Sequence, residues 1–432
     1  MAKDTSRGVK WLSAAKVTLA LVSLANVSVL VRYLDRDDFG LMAIANLVIG
    51  VVGLFLDMGI TSAILHKQSI TKEEYGSLYW LNMMFSVVLY GLVFIAAYPV
   101  ATFYEDVRIV RLVQWIGLSI ILSSIGRQYR IIFQKREAYE RIAVMDIVGT
   151  TVQFCVGVGT AMTGWGVYSL VAATLARSVV VSLGYFVQGY RRFGLRFRFV
   201  WSEVTSFLRI GLWQVLSDII NYLTRELDII LIGKFLGTDL LGVYSLLKQL
   251  VRKPVIIIMS VISTITTPML AKLQADVSQM RYKFYLLLNR TLTLFYLIYL
   301  PLALLAYPVL QVVYGEKIAG FYGVFQAMCL YTVLRAHGSP VGGLIVASGK
   351  TELNFYWNII VSIILPAAIY FGSQFDLATL VLIMCTAMIV LIPLHWYITV
   401  RKVLGGNFFT FAKAYLPRKD FLVFLKQSLK IG

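Results

Sequence analysis

The residues of this sequence most able to do chemistry are charged side chains that lie within long apolar stretches. The basic ones are Lys16, Arg177, Arg225, Lys248, Arg252, Lys253, Arg290 and Arg335, and the acidic ones are Asp57, Asp146, Asp218, Glu226 and Asp228. Ionisable groups at membrane depth cost a few kcal/mol even on lenient insertion scales, so they mark binding sites or ion paths by default. The basic surplus predicts a cavity that attracts an anion, and the arginine fork favours phosphate.

Six of the basic residues are expected to bind this phosphate-bearing ligand. They are Arg225, Lys248, Arg252, Arg177, Arg335 and Lys16. Four acidic residues, Asp57, Asp218, Asp228 and Glu226, are candidates for ion coupling or for charge pairing. The alternative that the charges are structural pairs, Arg225 with Asp228 and Lys248 with Glu226, stays open. Asp146 and Arg290, close to the inner surface, are better explained as such pairs.

The seventh apolar stretch carries a polar stripe. On a straight helix its polar residues fall within about 80° of one another, so they cannot all face lipid. The members of the stripe are Gln214, Asp218, Asn221, Arg225 and Asp228. We expect Gln214 and Asn221, together with Gln249 of the next stretch, to supply uncharged polar groups to the same cavity.

The tenth stretch contains a helix-breaking run, residues 335–343, with the sequence RAHGSPVGG. Pro340 among glycines predicts a bend or hinge near the middle of a helix. The pair Gly338 and Gly342 equally fits a close helix-packing contact. Both interpretations remain open from the sequence.

The sequence contains no group of residues whose spacing indicates an enzyme active site. His66, His337 and His395 are scattered along the chain, and no cysteine or histidine spacing matches a metal site. The glycines before Lys350 are spaced wrongly for a phosphate-binding loop and follow no strand. We therefore expect no catalytic residue, no metal and no cofactor, and we predict that the protein is not an enzyme.

The amino-acid composition indicates that lipid surrounds these charged residues. Of 432 residues, 59% are apolar and only 14% are charged, and the mean hydropathy is +0.77. A soluble protein is about half apolar and about a quarter charged, so this chain belongs in a bilayer. The net charge of +18 then reports membrane orientation and anionic lipid, and not nucleic acid.

Twelve apolar windows long enough to span a bilayer follow one another along the chain. They cover residues 11–33, 41–64, 77–101, 109–131, 142–162, 166–187, 207–233, 241–267, 284–308, 321–347, 355–372 and 378–398. With both termini in the cytoplasm, most of the 40 basic residues lie on the cytoplasmic side. The outer loops keep Arg32, Arg36, Arg108, Arg111, Lys234 and Lys317. The positive-inside rule therefore predicts cytoplasmic termini.

The chain repeats itself. A shift of 202 positions places Asp37 on Asp239 and Gly40 on Gly242, and AYPV at 97–100 recurs at 306–309. The sequence thus predicts an all-α membrane protein of about twelve transmembrane helices in two parallel six-helix bundles. Residues 1–187 form the first bundle, 188–206 a cytoplasmic linker, 207–398 the second bundle, and 399–432 a cytoplasmic basic amphipathic tail. Within this tail, residues 407–432 are expected to form an amphipathic helix on the membrane surface, and a disordered basic tail is the alternative.

Two motifs resemble one family. Residues 31–45, VRYLDRDDFGLMAIA, followed by LDMGI at 56–60, resemble the polysaccharide-export branch of the multidrug/oligosaccharidyl-lipid/polysaccharide superfamily. Residues 228–237, DIILIGKFLG, followed by LGVYS at 241–245, are similar to the same family's connection between helices seven and eight. The resemblance covers most of the chain and is closest to the Wzx-type flippases of O-antigen, colanic-acid and teichuronic-acid pathways.

The resemblance implies a flippase that carries undecaprenyl-diphosphate-linked oligosaccharide across the bacterial cytoplasmic membrane by alternating access. It further implies that the cavity cations hold the diphosphate, and that membrane lipids, a polysaccharide polymerase and a chain-length regulator are its partners. One alternative is an ion-coupled drug antiporter of the same superfamily, which the basic surplus disfavours. A lipid-linked-sugar enzyme, disfavoured by short outer loops, and an assembly scaffold are the others.

Overall fold

The computed structural model describes residues 19, 22–57, 71–196, 199–201, 215, 218–219 and 221–416. The regular elements that it describes are all helical. The helices are α1 (Val22–Tyr33), α2 (Arg36–Asp57), α3 (Lys72–Tyr104), α4 (Arg108–Lys135), α5 (Tyr139–Met162), α6 (Tyr168–Phe193), α7 (Leu227–Phe235), α8 (Gly237–Ala271), α9 (Val277–Leu304), α10 (Ala306–Tyr314), α11 (Glu316–Ala319), α12 (Tyr322–Arg335), α13 (Gly338–Ala347), α14 (Thr351–Gly372), α15 (Leu377–His395), α16 (Arg401–Leu404) and α17 (Phe408–Lys413), with a π-helical turn at Trp396–Val400.

Eight helical stretches within the described ranges are long and apolar enough to cross a membrane. They are Arg36–Leu56, Glu73–Tyr104, Arg108–Lys135, Tyr139–Met162, Tyr168–Phe193, Val277–Leu304, Thr351–Gly372 and Leu377–Leu404. Each coincides with one of the twelve predicted windows. The all-α membrane fold class is therefore confirmed, whereas the count of twelve spans stays a prediction.

Helix α3 shows why the surrounding solvent must be lipid. Leu92 and Ile95 are 56% and 68% exposed, while Ser86 on the other side is fully buried. The Ser86 hydroxyl hydrogen-bonds the hydroxyl of Ser124 on α4 at 3.1 Å, so the buried polar group is satisfied within the protein. An apolar exterior around a hydrogen-bonded polar interior is the arrangement that a bilayer favours.

The chain divides into two compact units, Met1–Ser245 and Leu246–Gly432. The first packs α3, α4, α5 and α6 around an aromatic cluster that contains Tyr79, Tyr129, Phe133 and Tyr185. A Cβ on Gly126 would lie 2.5 Å from the carbonyl oxygen of Ser182, so a glycine is what lets α4 approach α6 this closely. The predicted bundle and linker boundaries at 187 and 206 stay predictions.

The second unit is built on α9, α12, α14 and α15, and its tail begins inside the protein. Phe411 of α17 is fully buried, and the Asn289 side chain on α9 donates to the carbonyls of Ala414 and Leu416 at 2.8 and 2.7 Å. The buried ring of Phe411 and the Asn289 amide anchor the start of the tail to the second unit, and the prediction that residues 407–432 lie on the membrane surface stays a prediction. Residues 417–432 lie outside the described residues.

Two of the predicted spans are interrupted. Residues 221–225 are helical, but the helix breaks at Glu226 (φ −103°, ψ 13°) before α7 begins. The single straight helix expected over 207–233 is thus wrong at this point, and the polar stripe bends there. The tenth span breaks between α12 and α13, because Pro340 in the first turn of α13 lacks the amide proton that a continuous helix needs. A Cβ on Gly338 or Gly342 would meet nothing within 4 Å, which favours the bend over the packing contact.

Candidate functional site

The two copies of the internal repeat meet each other in the first unit. A Cβ built on Gly40 of α2 would overlap the carbonyl oxygen of Thr238, and one built on Gly242 of α8 would overlap the carbonyl oxygen of Arg36. The shift of 202 positions that superimposes Gly40 on Gly242 also superimposes Arg36 on Thr238. The contact is therefore reciprocal, as expected of two copies of one motif related by a pseudo-two-fold axis.

Polar side chains form further bonds at the same contact between the two copies. We call this contact the repeat joint, and it comprises Arg36, Asp37 and Gly40 of the first copy with Thr238, Asp239 and Gly242 of the second. The Arg36 guanidinium lies 3.2 Å from the Asp239 carboxylate. The Thr238 hydroxyl donates to the Asp37 carboxylate. Each aspartate thus bonds the residue at position 36 or 238 of the opposite copy, so the pairing follows the symmetry of the backbone.

Three further ion pairs flank the joint. Arg108 at the start of α4 reaches both Asp37 and Asp106 at 2.6 Å. Lys234 at the end of α7 donates to Glu105 at 2.6 Å. The hydrogen bond and charge of Lys234 hold the pKa of Glu105 below its ordinary value, and Arg108 does the same for the pKa of Asp106. These loops, predicted to be on the outer side, are therefore tied together at neutral pH.

Two of the predicted ligand-binding arginines lie in the first unit. Arg225, the last helical residue before the break, has a side chain that is 51% exposed. Its Nε donates to Glu226 at 3.1 Å, and its guanidinium lies 5.2 Å from the centre of the Tyr222 ring. Arg177 on α6 is half-buried and donates to the Gln153 side chain at 3.1 Å. Both guanidiniums are held in defined orientations by neighbouring side chains.

The predicted cations of the second unit lie on α8 and α12. Lys248 is half-buried, whereas Arg252 and the polar candidate Gln249 are exposed. Arg335 is exposed at the end of α12, with its guanidinium 5.5 Å from the centre of the Tyr331 ring. Lys16 and Gln214 lie outside the described residues, and so does the side chain of Asp57, the last residue of α2.

The acidic candidates occupy different environments. Asp228 is buried; it accepts the Tyr244 hydroxyl at 2.6 Å, and its other oxygen accepts the Ile229 amide at 2.9 Å. That amide is one of the donors that the break at Glu226 leaves without a helical acceptor, so Asp228 stabilises the start of α7. Asp218 is half-buried and Asn221 is exposed. Asp146, predicted to be close to the inner surface, pairs with Arg130 at 3.6 Å, as a structural role predicts.

The expectation that the histidines are scattered is wrong for two of them. His337, between α12 and α13, and His395, at the end of α15, are 1% and 3% exposed, and their ring nitrogens lie 3.0 Å apart. His395 also stacks on Trp357 of α14, with ring centres 3.8 Å apart. A separation of 58 positions hides this pair from sequence spacing; its one signal is that His337 lies in the helix-breaking run.

The hydrogen bonds of the pair assign its neutral tautomers. His337 Nδ1 lies 2.8 Å from the Leu334 carbonyl, which can only accept, so this nitrogen carries the proton. His337 Nε2 is then an acceptor, and His395 Nδ1 donates to it. The imidazoles therefore tie α12 and α15 together at the predicted bend. Over the described part of the chain, no cluster of three or more histidine, cysteine or carboxylate side chains could hold a metal.

Comparison with known proteins identifies similar chains and folds. A family model described as "Polysaccharide biosynthesis protein" matches residues 29–321. The "Lipopolysaccharide biosynthesis protein WzxC" of Escherichia coli (strain K12) is 26% identical over 409 residues, covering 94% of this chain and 83% of that protein.

Among solved structures, "Lipid II flippase MurJ, inward closed conformation" aligns with a TM-score of 0.71 at 13% identity, over 95% of this chain and 90% of that one. An inward-facing "multidrug resistance MATE family transporter of the MOP superfamily" aligns with a TM-score of 0.68 at 14% identity, over 88% and 96%.

Proposed function

The chain belongs to the polysaccharide biosynthesis protein family, and from this premise we propose that it is a flippase for undecaprenyl-diphosphate-linked oligosaccharide repeat units. It carries them across the bacterial cytoplasmic membrane for the assembly of a surface polysaccharide. The observation that carries this proposal is the family match over residues 29–321 of a multi-pass helical membrane protein.

The fold by itself does not choose between functions, since both a lipid flippase and a drug exporter have it. The family match and the charges within the spans favour the flippase over the drug exporter. A polysaccharide pathway requires its membrane-bound intermediates to cross a bilayer, and this chain has the architecture of a transporter. Exporters of organic cations favour acidic cavities, whereas the spans of this chain carry a basic surplus. The antiporter is therefore the weaker candidate, and the protein acts without catalysing a covalent reaction.

The diphosphate is the part of the cargo that the basic residues would recognise. We assign this role to Arg225, Lys248, Arg252, Arg177, Arg335 and Lys16. In its support, the exposed Arg225, Arg252 and Arg335 offer guanidinium groups that can form bidentate bonds with phosphate oxygens. Gln214, Asn221 and Gln249 would hydrogen-bond sugar hydroxyls. With the diphosphate and the sugars bound by these residues, the polyprenyl chain would stay in lipid.

The energy source would act through carboxylates within the spans. We assign ion coupling to Asp57, Asp218, Asp228 and Glu226. Asp228 is the best supported of them, because a buried carboxylate that bonds a tyrosine hydroxyl across 16 positions changes its contacts when it gains a proton or a cation. Both termini are proposed to be cytoplasmic, on the basic-residue distribution. A polymerase and a chain-length regulator would take the product at the other face.

A cell lacking the protein tests the function. We expect lipid-linked oligosaccharide to accumulate on the cytoplasmic face, and the wild-type gene to clear it. The double variant Arg225→Ala/Arg252→Ala should fail to clear it. The matched control Lys283→Ala/Lys413→Ala removes the same charge outside the predicted spans and should clear it normally. Antibiotic and dye resistance, measured in the same strains, should not change.

Three possible results would each contradict one part of the proposal. If no intermediate accumulates in a strain without a redundant flippase, the transport function is wrong. If the arginine double variant clears the intermediate as well as the control, those two arginines are structural. If resistance to cationic drugs falls with the deletion, the antiporter replaces the flippase.

A further inference from the structure

A cavity of about 310 Å³ opens in the first unit, away from all the residues assigned above. Three elements enclose it: the first turns of α3, the last turns of α4, and the end of α6 with the residues that follow. Its lining combines aromatic rings with two cations. The lining residues are Tyr75, Gly76, Tyr79, Gln128, Tyr129, Ile132, Arg136, Arg192, Phe193, Gly194 and Leu195.

Specific hydrogen bonds between the enclosing elements fix the positions of the cavity walls. The Gln128 side chain donates to the Tyr75 carbonyl at 2.6 Å, and the Tyr129 hydroxyl donates to the Gly194 carbonyl at 3.2 Å. The segment after Gly194 is fastened further along, where the Val200 amide donates to the Ser77 hydroxyl at 3.0 Å. The aromatic cluster of the first unit forms its floor through Tyr79, Tyr129 and Ile132. The cavity is therefore a built feature of the fold.

The charges at this cavity favour an anion. Arg136 and Arg192 are both exposed, and the Arg136 guanidinium lies 4.3 Å from the centre of the Phe193 ring, which presets its orientation. Two carboxylates at the start of α3 have their own bonds: Glu73 pairs with Arg196 at 3.5 Å, and Glu74 caps the Thr71 amide at 3.0 Å. Neither carboxylate lines the cavity. Two arginines thus line a space of ligand size whose lining contains no acidic residue.

We propose that this cavity binds the phosphate-bearing headgroup of a glycerol- or sugar-phosphate compound. Arg136 and Arg192 hold the phosphate by charge-assisted hydrogen bonds. The tyrosine rings offer flat apolar faces for the C–H surface of the polyol, and the Tyr129 hydroxyl oxygen, whose own proton goes to the Gly194 carbonyl, can accept a hydrogen bond from a polyol hydroxyl. The volume is at the lower end of small-molecule sites, which fits a headgroup and not a whole oligosaccharide. This site does not depend on the flippase function.

The test compares two variants of equal charge. Arg136→Gln/Arg192→Gln removes the cavity cations, and Arg141→Gln/Arg191→Gln removes two neighbouring cations, on α5 and α6, that do not line the cavity. Purified proteins in mixed micelles are titrated with phosphatidylglycerol, glycerol 1-phosphate and inorganic phosphate, and bound ligand is counted by native mass spectrometry. We expect the cavity variant to bind at least tenfold more weakly than wild type, and the control to bind within about twofold.

The three ligands distinguish the sources of the phosphate. Binding of phosphatidylglycerol alone identifies a lipid headgroup, and displacement by glycerol 1-phosphate identifies a soluble polyol phosphate; both support the proposal. Equal loss in both variants, or binding of inorganic phosphate alone with no preference for the wild-type cavity, overturns it.

A second measurement needs no substitution, in case the cavity variant does not fold. Phenylglyoxal modifies exposed arginines of the wild-type protein, and peptide mapping reports each position. A bound headgroup should protect Arg136 and Arg192 and leave Arg191, which is also exposed, reactive. Uniform protection, or none, overturns the proposal.

Discussion

Gly40 of α2 and Gly242 of α8 lie against each other's backbone, and a side chain on either would overlap the opposite copy of the repeat. A Cβ on Gly40 would lie 3.1 Å from the Gly242 amide nitrogen, and one on Gly242 would lie 3.0 Å from the Gly40 amide nitrogen, besides overlapping a carbonyl. Both residues stand at equivalent positions of the internal repeat. One close contact between the two copies therefore requires glycine at the equivalent position of each copy.

Substitution of either glycine should destabilise the protein by a similar amount. Gly40→Ala and Gly242→Ala each force a methyl group into a backbone carbonyl, which costs about 1–3 kcal/mol when a packed region must shift. Gly53→Ala on the same helix α2 is the control, because a Cβ there meets nothing within 4 Å and alanine favours a helix. Thermal unfolding in detergent measures all three. A harmless Gly40→Ala would contradict the close contact.

The aspartates of the repeat joint should differ in importance although the repeat makes them equivalent. Asp37 accepts from both Thr238 and Arg108 with its side chain 28% exposed, whereas Asp239 pairs with Arg36 and is 50% exposed. Because exposed ion pairs contribute little, Asp37→Asn should lower the unfolding temperature more than Asp239→Asn. Thr238→Val, which removes one hydrogen bond, should cost about 1 kcal/mol. The reverse order of the two aspartate variants would exclude this explanation.

The sequence predicted the elements better than it predicted the contacts. Apolar windows locate the spans because lipid imposes a length of about 20 residues on each of them. The break at Glu226 escaped prediction because helical periodicity assumes a straight helix, and the Asp228–Tyr244 bond that accompanies the break joins positions 16 apart. The His337–His395 contact depends on how α12 and α15 pack, which no spacing encodes. The arginines could be named from composition and depth, but their orientations by Glu226, Gln153 and Tyr331 could not.

Helix α15 should lose stability in acid through its cap. Asp376 accepts the Ala378 and Thr379 amides at 2.8 and 3.0 Å, and its bonds to Thr379 lower its pKa below the ordinary value of 3.8. A carboxyl whose pKa is lowered by folding contributes stability above its unfolded pKa and loses it as the pH falls through the folded value. Asp376→Ala should therefore cost about 1 kcal/mol at pH 7 and less below pH 3.8.

The measurement is the difference in unfolding temperature between wild type and Asp376→Ala from pH 7 to pH 3. Asp276, which caps α9 through the Ser278 and Gln279 amides, should behave in the same way when replaced by alanine. A difference that stays constant over this range would show that the charge of the cap does not matter.

The buried imidazole pair should act as one unit. His395→Phe keeps a ring that can stack on Trp357 but removes the donor to His337 Nε2, which is left buried without a bond. An unsatisfied buried acceptor costs about 1–3 kcal/mol, so this variant and His337→Phe should each destabilise the second unit strongly. The double variant leaves neither imidazole unsatisfied. Its cost should therefore be clearly less than the sum of the two single costs, by 0.5 kcal/mol or more. Unfolding of the four proteins in detergent gives the cycle, and strictly additive costs would mean that the two histidines do not depend on each other.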